Sequence, residues 1–343
     1  MDVHAKTAYQ AQLLENRLRK RDRHLRKWAR RTGTDVYRLY DRDIPEIPLT
    51  LDRYGGAAAG ALYERPYGKD EAEEERWLAA MTEAVSRSLE IAPQRIFLKR
   101  RRRQRGRQKT GGQYEKLADQ SFLAEVHEGG LRFRVNLSDY LDTGFFPDRR
   151  ILRDMIRGEA AGKRVLNLFC YTGAFSVYAA SGGAAAADSV DISKTYLSWA
   201  ASNMAQNGIE AGFCPPEAVW RPAGAGWPAL PVCRLIRADA LAFLDGAARR
   251  RCSWDVIILD PPTFSNSKKM RTALDIRRDY SSLIRHCLGL LNPGGVLWFS
   301  VSARRFRLEP DEFPGAVCAD MSRRIADEDF RGKRPPVCYR FSC

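Results

Sequence analysis

Several things are missing from this 343-residue chain, and each absence excludes a class of protein. No apolar run approaches the ~20 residues that a membrane-spanning helix needs. The start, Met1-Asp-Val-His-Ala-Lys6, has no apolar h-region, so no secretory signal is expected and the expected location is cytoplasmic. The eight cysteines include no Cys-x-x-Cys pair and the four histidines are scattered, so no zinc module and no metal is expected, and the thiols are expected to be reduced. A Gly-x-Gly-x-x-Gly cradle for a pyrophosphate is absent. So is a P-loop: Gly158-Glu-Ala-Ala-Gly-Lys163 is one residue too short and is followed by Arg164. No internal repeat is visible. Acid is the scarcer charge, with 42 Asp and Glu against 57 Lys and Arg, a net charge of +15.

What is present is a foldable chain, 44% hydrophobic and 10% aromatic, long enough for two domains. Its excess of positive charge points to a polyanionic partner, most simply nucleic acid. The charge is blocky. Residues 1–31 carry ten basic groups against three acids, and Arg95 to Lys109 carry nine with no acid. The run Lys99, Arg100, Arg101, Arg102, Arg103, Arg105 and Arg107 is dense enough to meet phosphates, although a solvated basic loop would look the same.

Leu14, Leu18, Leu25 and Trp28 recur at helical spacing within residues 5–31. Short runs broken by Pro45, Pro48 and Gly55-Gly56 predict strands over 35–63. Residues 70–90 read as a helix, and a hairpin is expected across Glu128-Gly129-Gly130. These elements predict a basic helix (1–34) and a small α+β domain (35–145). From residue 146 to 343 apolar strands alternate with amphipathic helices, the pattern of a doubly wound parallel sheet that binds its ligand at the carboxyl ends of the strands.

Four strand ends carry polar residues suited to chemistry. After the first, Asn167-Leu-Phe-Cys-Tyr-Thr-Gly173 places one glycine at a tight turn into a helix. Asp191 ends the second strand and can accept from both hydroxyls of a ribose. Asp239 ends the third and can accept from an adenine amino group. A single aspartate at such a place is equally a helix N-cap; the three in order describe a nucleoside held without phosphates, which fits S-adenosylmethionine. The fourth end, Asp260-Pro261-Pro262-Thr263-Phe264, is a rigid turn suited to aligning a planar base with a methyl–sulfur bond.

The segments Tyr140-Leu-Asp-Thr-Gly-Phe-Phe-Pro-Asp-Arg149, Leu166-Asn-Leu-Phe-Cys-Tyr-Thr-Gly173, Val190-Asp-Ile-Ser-Lys-Thr-Tyr-Leu197 and Leu259-Asp-Pro-Pro-Thr-Phe-Ser-Asn-Ser-Lys268 resemble the bacterial large-subunit rRNA methyltransferases, in particular the guanine-N7 half of the bifunctional 23S rRNA enzymes. The resemblance also covers Glu15–Lys20, Val36–Asp41 and Asp327–Phe330. It implies a class I, Rossmann-like domain with a seven-stranded sheet, preceded by a small α+β RNA-contacting domain. It further implies S-adenosylmethionine as cofactor, and 23S rRNA or a large-subunit assembly intermediate as partner. On this reading Asp260, Pro261, Pro262 and Thr263 orient the base and Phe264 stacks on it or closes the pocket. Asp191, with Ile192 and Ser193, and Asp239, with Ala240, hold adenosine. Asn167, Phe169, Thr172 and Gly173 line the methionine and sulfonium region, Asp260 borders the cofactor, and Asp148 and Arg149 meet the cofactor's amino-acid end.

Three departures stand out, one of them after the fifth strand, where Ser300-Val-Ser-Ala-Arg-Arg305 stands in place of an expected Asn-rich stretch. The N2-methylating half is missing, so a free-standing N7 enzyme is expected, and residues 210–233 look like an insertion. A cytosine-C5 enzyme would need a cysteine nucleophile, yet the loop after the fifth strand reads Ser300-Val-Ser302, and Cys170 reads as a small core residue. Methylation at N2 or on another base is the enzymatic alternative. A non-catalytic RNA-binding assembly factor is the alternative from another class.

Overall fold

The computed structural model describes residues 3–63, 70–101, 121–220, 231–265, 273–303, 306–333 and 336–342. It divides into two compact units, residues 1–147 with 328–333, and residues 148–327 with 334–343.

The first unit opens with α1 (Val3–Thr32), whose apolar stripe of Leu14, Leu18, Leu25 and Trp28 is buried. That stripe packs into the same core as α2. Strands β1 (Val36–Asp41), β2 (Leu49–Tyr54) and β3 (Ala57–Tyr63) form an antiparallel meander. Helix α2 (Glu71–Leu89) then crosses over to β4 (Ile96–Arg101), which lies parallel to β3. Asp70 caps α2 by accepting from the Glu73 amide at 2.7 Å, and three glutamates in the first turn complement the helix dipole. Trp77 of α2 donates its indole N–H to Gln10 of α1 at 2.6 Å, so the one polar atom of a buried ring is satisfied. The hairpin β5 (Leu123–Glu128) and β6 (Leu131–Asn136) turns through Gly129 and Gly130, both at positive φ. Residues 328–333 belong to this unit: Asp329, fully buried, accepts from the Arg38 amide at 2.9 Å, and Arg38 lies over the Phe330 ring.

The second unit runs α3 (Arg150–Glu159), β7 (Arg164–Leu168), α4 (Ala174–Ser181), β8 (Ala186–Asp191), α5 (Lys194–Gln206), β9 (Ala211–Phe213), β10 (Cys233–Arg237), α6 (Ala240–Arg249), β11 (Trp254–Leu259), β12 (Phe264–Ser265), β13 (Leu274–Asp275), α7 (Ile276–Leu288), β14 (Leu291–Val301), β15 (Val317–Asp320) and β16 (Val337–Ser342). Its main sheet has the order β15-β16-β14-β11-β7-β8-β10-β9. From β14 to β9 the strands are parallel, and β16 is antiparallel to both β14 and β15. Seven of the strands make the expected Rossmann-like sheet. The eighth, β9, comes from the segment read as an insertion, which also contributes Trp220 against Phe243; residues 221–230 of that segment lie outside the described residues. Fully buried Val165, Leu166, Val256, Ile257, Ile258, Leu297 and Phe299 explain the continuous apolar runs, since helices cover both faces of the sheet.

Candidate active site

The carboxyl end of β7 runs into a turn with an unusual backbone. Phe169 and Tyr171 have φ of +55° and +53°, and Gly173 follows at +76°. Side chains at positive φ carry a steric cost, and this turn is held by its neighbours. The Cys170 amide donates to the Val190 carbonyl at 3.0 Å, and the Asn203 amide side chain donates to the Thr172 carbonyl at 2.8 Å. Gly173 begins α4 hard against α5, where a Cβ would stand 2.8 Å from that of Ala200. Asn167 donates through Nδ2 to Ser176 at 2.9 Å, while its Oδ1 is buried without a partner.

At the end of β8, Asp191 accepts from the Tyr171 amide at 3.0 Å and from the Ser193 amide at 2.8 Å. Burial pushes its carboxyl up to about 6, while backbone N–H groups of Ser193, Tyr171 and Ile192 pull the other way. Ser193 caps α5 through the Tyr196 amide, so Ile192 and Ser193 are fixed by the helix that follows them. Asp239 caps α6, its Oδ1 accepting from the Ala242 amide at 3.0 Å and leaving the other oxygen, with Ala240 buried beside it.

At the end of β11 the Asp260 carboxylate meets Arg149. Nε lies 3.1 Å from Oδ2 and Nη2 2.9 Å from Oδ1, a bidentate pair. Arg149 also donates to Asp148 Oδ2 and to Ser302 Oγ, each at 3.0 Å. Burial alone would lower its pKa, but Asp260 and Asp148 outweigh that and leave the guanidinium more basic than usual. Pro261 is buried and Thr263 exposed, with its carbonyl taken by the Ile276 amide at 3.2 Å. Phe264 is 49% exposed, a free aromatic face beside the Asp-Pro-Pro turn.

Of the expected site residues, those at 167–173, 191–193, 239–240 and 260–264 fall at the carboxyl ends of β7, β8, β10 and β11, while Arg149 lies just before α3 and reaches Asp260. Ser302 was not among them, and no local pattern marks it, because its partner Arg149 is 153 positions away. The Cys170 thiol is buried, and burial and Asp191 both raise its pKa well above the usual range, so it is a poor nucleophile.

The basic run begins on β4. Arg100 is already paired with Glu74 at 3.1 Å and Glu71 at 3.2 Å. The Lys99 ammonium donates to the Tyr140 carbonyl, and burial lowers its pKa to about 8 against the pull of Asp142 and Asp139. Arg101 lies over the Tyr63 ring. Arg102, Arg103, Arg105 and Arg107 lie outside the described residues.

A family model described as S-adenosylmethionine-dependent methyltransferase matches residues 42–215. The chain belongs to this family. It is 42% identical over 324 residues to the "Ribosomal RNA large subunit methyltransferase K" of Neisseria meningitidis, covering 94% of this chain and 85% of that protein. It is also 42% identical over 337 residues to the "Ribosomal RNA large subunit methyltransferase K/L" of Methylococcus capsulatus. That match covers 97% of this chain but only 42% of the relative, so the chain spans about two-fifths of the length of the K/L proteins. A crystal structure of "a putative methyltransferase complexed with SAH" shares the fold, with a TM-score of 0.71 at 22% identity, covering 97% of this chain and 82% of the other. The family's cofactor is S-adenosylmethionine, and this methyltransferase has groups that fit it: a buried Asn167 oxygen lacking a partner, a carboxylate at Asp191, and a turn without the glycines of a pyrophosphate site. Among the described residues no group of His, Cys, Asp or Glu could hold a metal, and no helix is long and apolar enough to cross a membrane.

Proposed function

We propose that this methyltransferase modifies N7 of a guanine in 23S rRNA, by in-line transfer and without a covalent enzyme intermediate. The carrying observation is the Arg149–Asp260 pair. Methylating an exocyclic amine requires that a proton leave the nitrogen, whereas both oxygens of Asp260 are engaged by the Arg149 guanidinium. Guanine N7 presents a lone pair with no proton to remove. The likeness to the large-subunit methyltransferase K protein supports rRNA as the substrate.

Bound S-adenosylmethionine supplies an electrophilic methyl group on a sulfonium. Guanine N7 would take that methyl on a lone pair that bears no proton, so no residue of this chain would have to act as a base. The chain's residues have only to hold, align and exclude water. Asp191, with Ile192 and Ser193, takes the ribose; Asp239 and Ala240 border the adenine. Asn167, Phe169, Thr172 and Gly173 line the methionine and sulfonium region. Asp260, Pro261, Pro262 and Thr263 orient the base, and Phe264 stacks on it. The first unit contacts RNA, chiefly through Arg101 and the basic residues after it, because Arg100 is committed to glutamates. Such a reaction belongs where ribosomes are assembled, in the cytoplasm, on 23S rRNA or an assembly intermediate.

The test is transfer of labelled methyl to 23S rRNA from cells lacking this gene, followed by nuclease digestion and mass spectrometry. The expected product is 7-methylguanosine; N2-methylguanosine, or no product with either naked rRNA or assembly particles, overturns the reading.

A further inference from the structure

We propose that Arg149 is the positioning residue of this active site, fixing the Asp260 carboxylate for the base, and that it does not hold the cofactor's amino-acid end. The proposal rests on the methyltransferase reading above and deepens it.

A guanidinium has five N–H donors. In Arg149 the Nε donor goes to Asp260, Nη2 serves both Asp260 and Ser302, and one Nη1 donor goes to Asp148. One donor remains, too few for the two-pronged grip by which arginine captures a carboxylate such as an amino acid's. Arg149 is 6% exposed, so its side chain has no room to swing between partners. Its partners come from three separate stretches of chain: the residue before it, the turn after β11 and the end of β14. A single cation therefore sets where the Asp-Pro-Pro turn sits relative to the Ser300–Ser302 strand end.

The charges agree with this role. Asp148, Arg149 and Asp260 together carry a net charge of −1. Cys338, which pairs with Ser300 across β14 and β16, is a buried thiol whose pKa burial raises, so it adds no charge. A net negative cluster suits a site where a sulfonium enters and a cationic base leaves. Ser300 Oγ and Asp148 Oδ1 are buried without hydrogen-bond partners.

The full chain is tested as Arg149→Gln, Arg149→Lys, Asp260→Asn, Ser302→Ala and the double variant Arg149→Gln/Asp260→Asn. Calorimetry gives the cofactor Kd, and tritium transfer into rRNA gives kcat and KM. We expect Arg149→Gln to lower kcat about 100-fold with the cofactor Kd within about threefold of the parent. Arg149→Lys, which keeps the charge, is expected to recover at least about tenfold of that loss. The double variant should be no slower than the worse single, as expected for two halves of one lock. Ser302→Ala removes one contact without leaving a charge unpaired, and is expected to lower kcat about threefold, which keeps the test open if Arg149→Gln fails to fold. A cofactor Kd raised about 30-fold or more, multiplicative losses in the double variant, or unchanged kcat in both Arg149→Gln and Ser302→Ala would each overturn the proposal. The atom methylated is read separately by mass spectrometry. A methyl on another atom overturns the N7 reading, while the comparison of variants still decides the role of Arg149.

Discussion

The amide of Tyr171 donates to Asp191 Oδ2 at 3.0 Å, tying the strained turn after β7 to the carboxylate that ends β8. One residue thus both braces the cofactor turn and faces the ribose proposed for it. Its carboxyl, raised by burial to about 6, titrates close to neutrality. Ribose hydroxyls donate to the ionised form, so S-adenosylmethionine is expected to bind about tenfold more weakly at pH 5 than at pH 7. In the free protein the sign is opposite. A raised carboxyl pKa means that the folded state binds the proton more tightly than the unfolded chain, so Asp191 lowers stability as pH rises through the window from the ordinary carboxylate range to about 6. Calorimetric titration across this range checks the first effect. Asp191→Asn should flatten the pH dependence, and Asp191→Ala should raise Kd about 100-fold or more, having lost two bonds to a charged acceptor.

Gly173 carries the second expectation. Its φ of +76° strains any other residue, and a Cβ would press to 2.8 Å against Ala200 and 3.4 Å against Met204. Both neighbours belong to buried parts of α5, so the contact is not relieved by a flexible side chain swinging into solvent. Gly173→Ala is expected to destabilise the second unit by about 1–3 kcal/mol, read as a lowered urea midpoint with an unchanged m-value.

The strand ends were legible in the sequence because buried parallel strands are continuous apolar runs, and the polar residue that closes each run must sit at a strand end. Helix α3 was not, because Arg150 and Arg153 sit on its buried side and disguise the apolar stripe of Leu152 and Ile156. Strand β9 is three residues long, too short for any periodicity to register. The Arg149–Asp260 pair spans 111 positions, so no local pattern joins them. Local physics marks elements and their ends; the partner of a charged side chain is a tertiary fact.

Asp188 anchors a charged cluster sealed within the second unit. Its carboxylate lies 2.6 Å from Arg234 Nε and 3.4 Å from Arg164 Nη2, and accepts the Trp254 indole N–H at 2.7 Å. All four residues are buried. Removing the acid takes away the carboxylate that two buried guanidinium groups share. Asp188→Ala is expected to cost about 3–5 kcal/mol in urea unfolding, the usual result of breaking a buried pair from one side.

Cys170 tests whether the enzyme forms a covalent bond to the base. Its thiol is buried, and burial and the Asp191 charge both disfavour the thiolate. Cys170→Ala is therefore expected to keep kcat within about threefold of the parent, whereas a covalent route would lose nearly all activity.

Salt dependence separates the members of the basic run. Each phosphate neutralised by a lysine or arginine releases counterions, so the slope of log K against log salt counts the contacts made. Arg100 faces Glu71, Glu74 and Glu75, and its charge is largely cancelled before RNA arrives. Arg100→Gln should therefore leave the slope of 23S rRNA binding unchanged. Replacing Arg101, Arg102 and Arg103 together by glutamine should weaken binding and flatten the slope by about 2, using ~0.7 per charge for single strands. Filter binding at four or more salt concentrations distinguishes the two variants. Equal slopes would mean that the run is a solvated surface, and that the first unit grips RNA elsewhere.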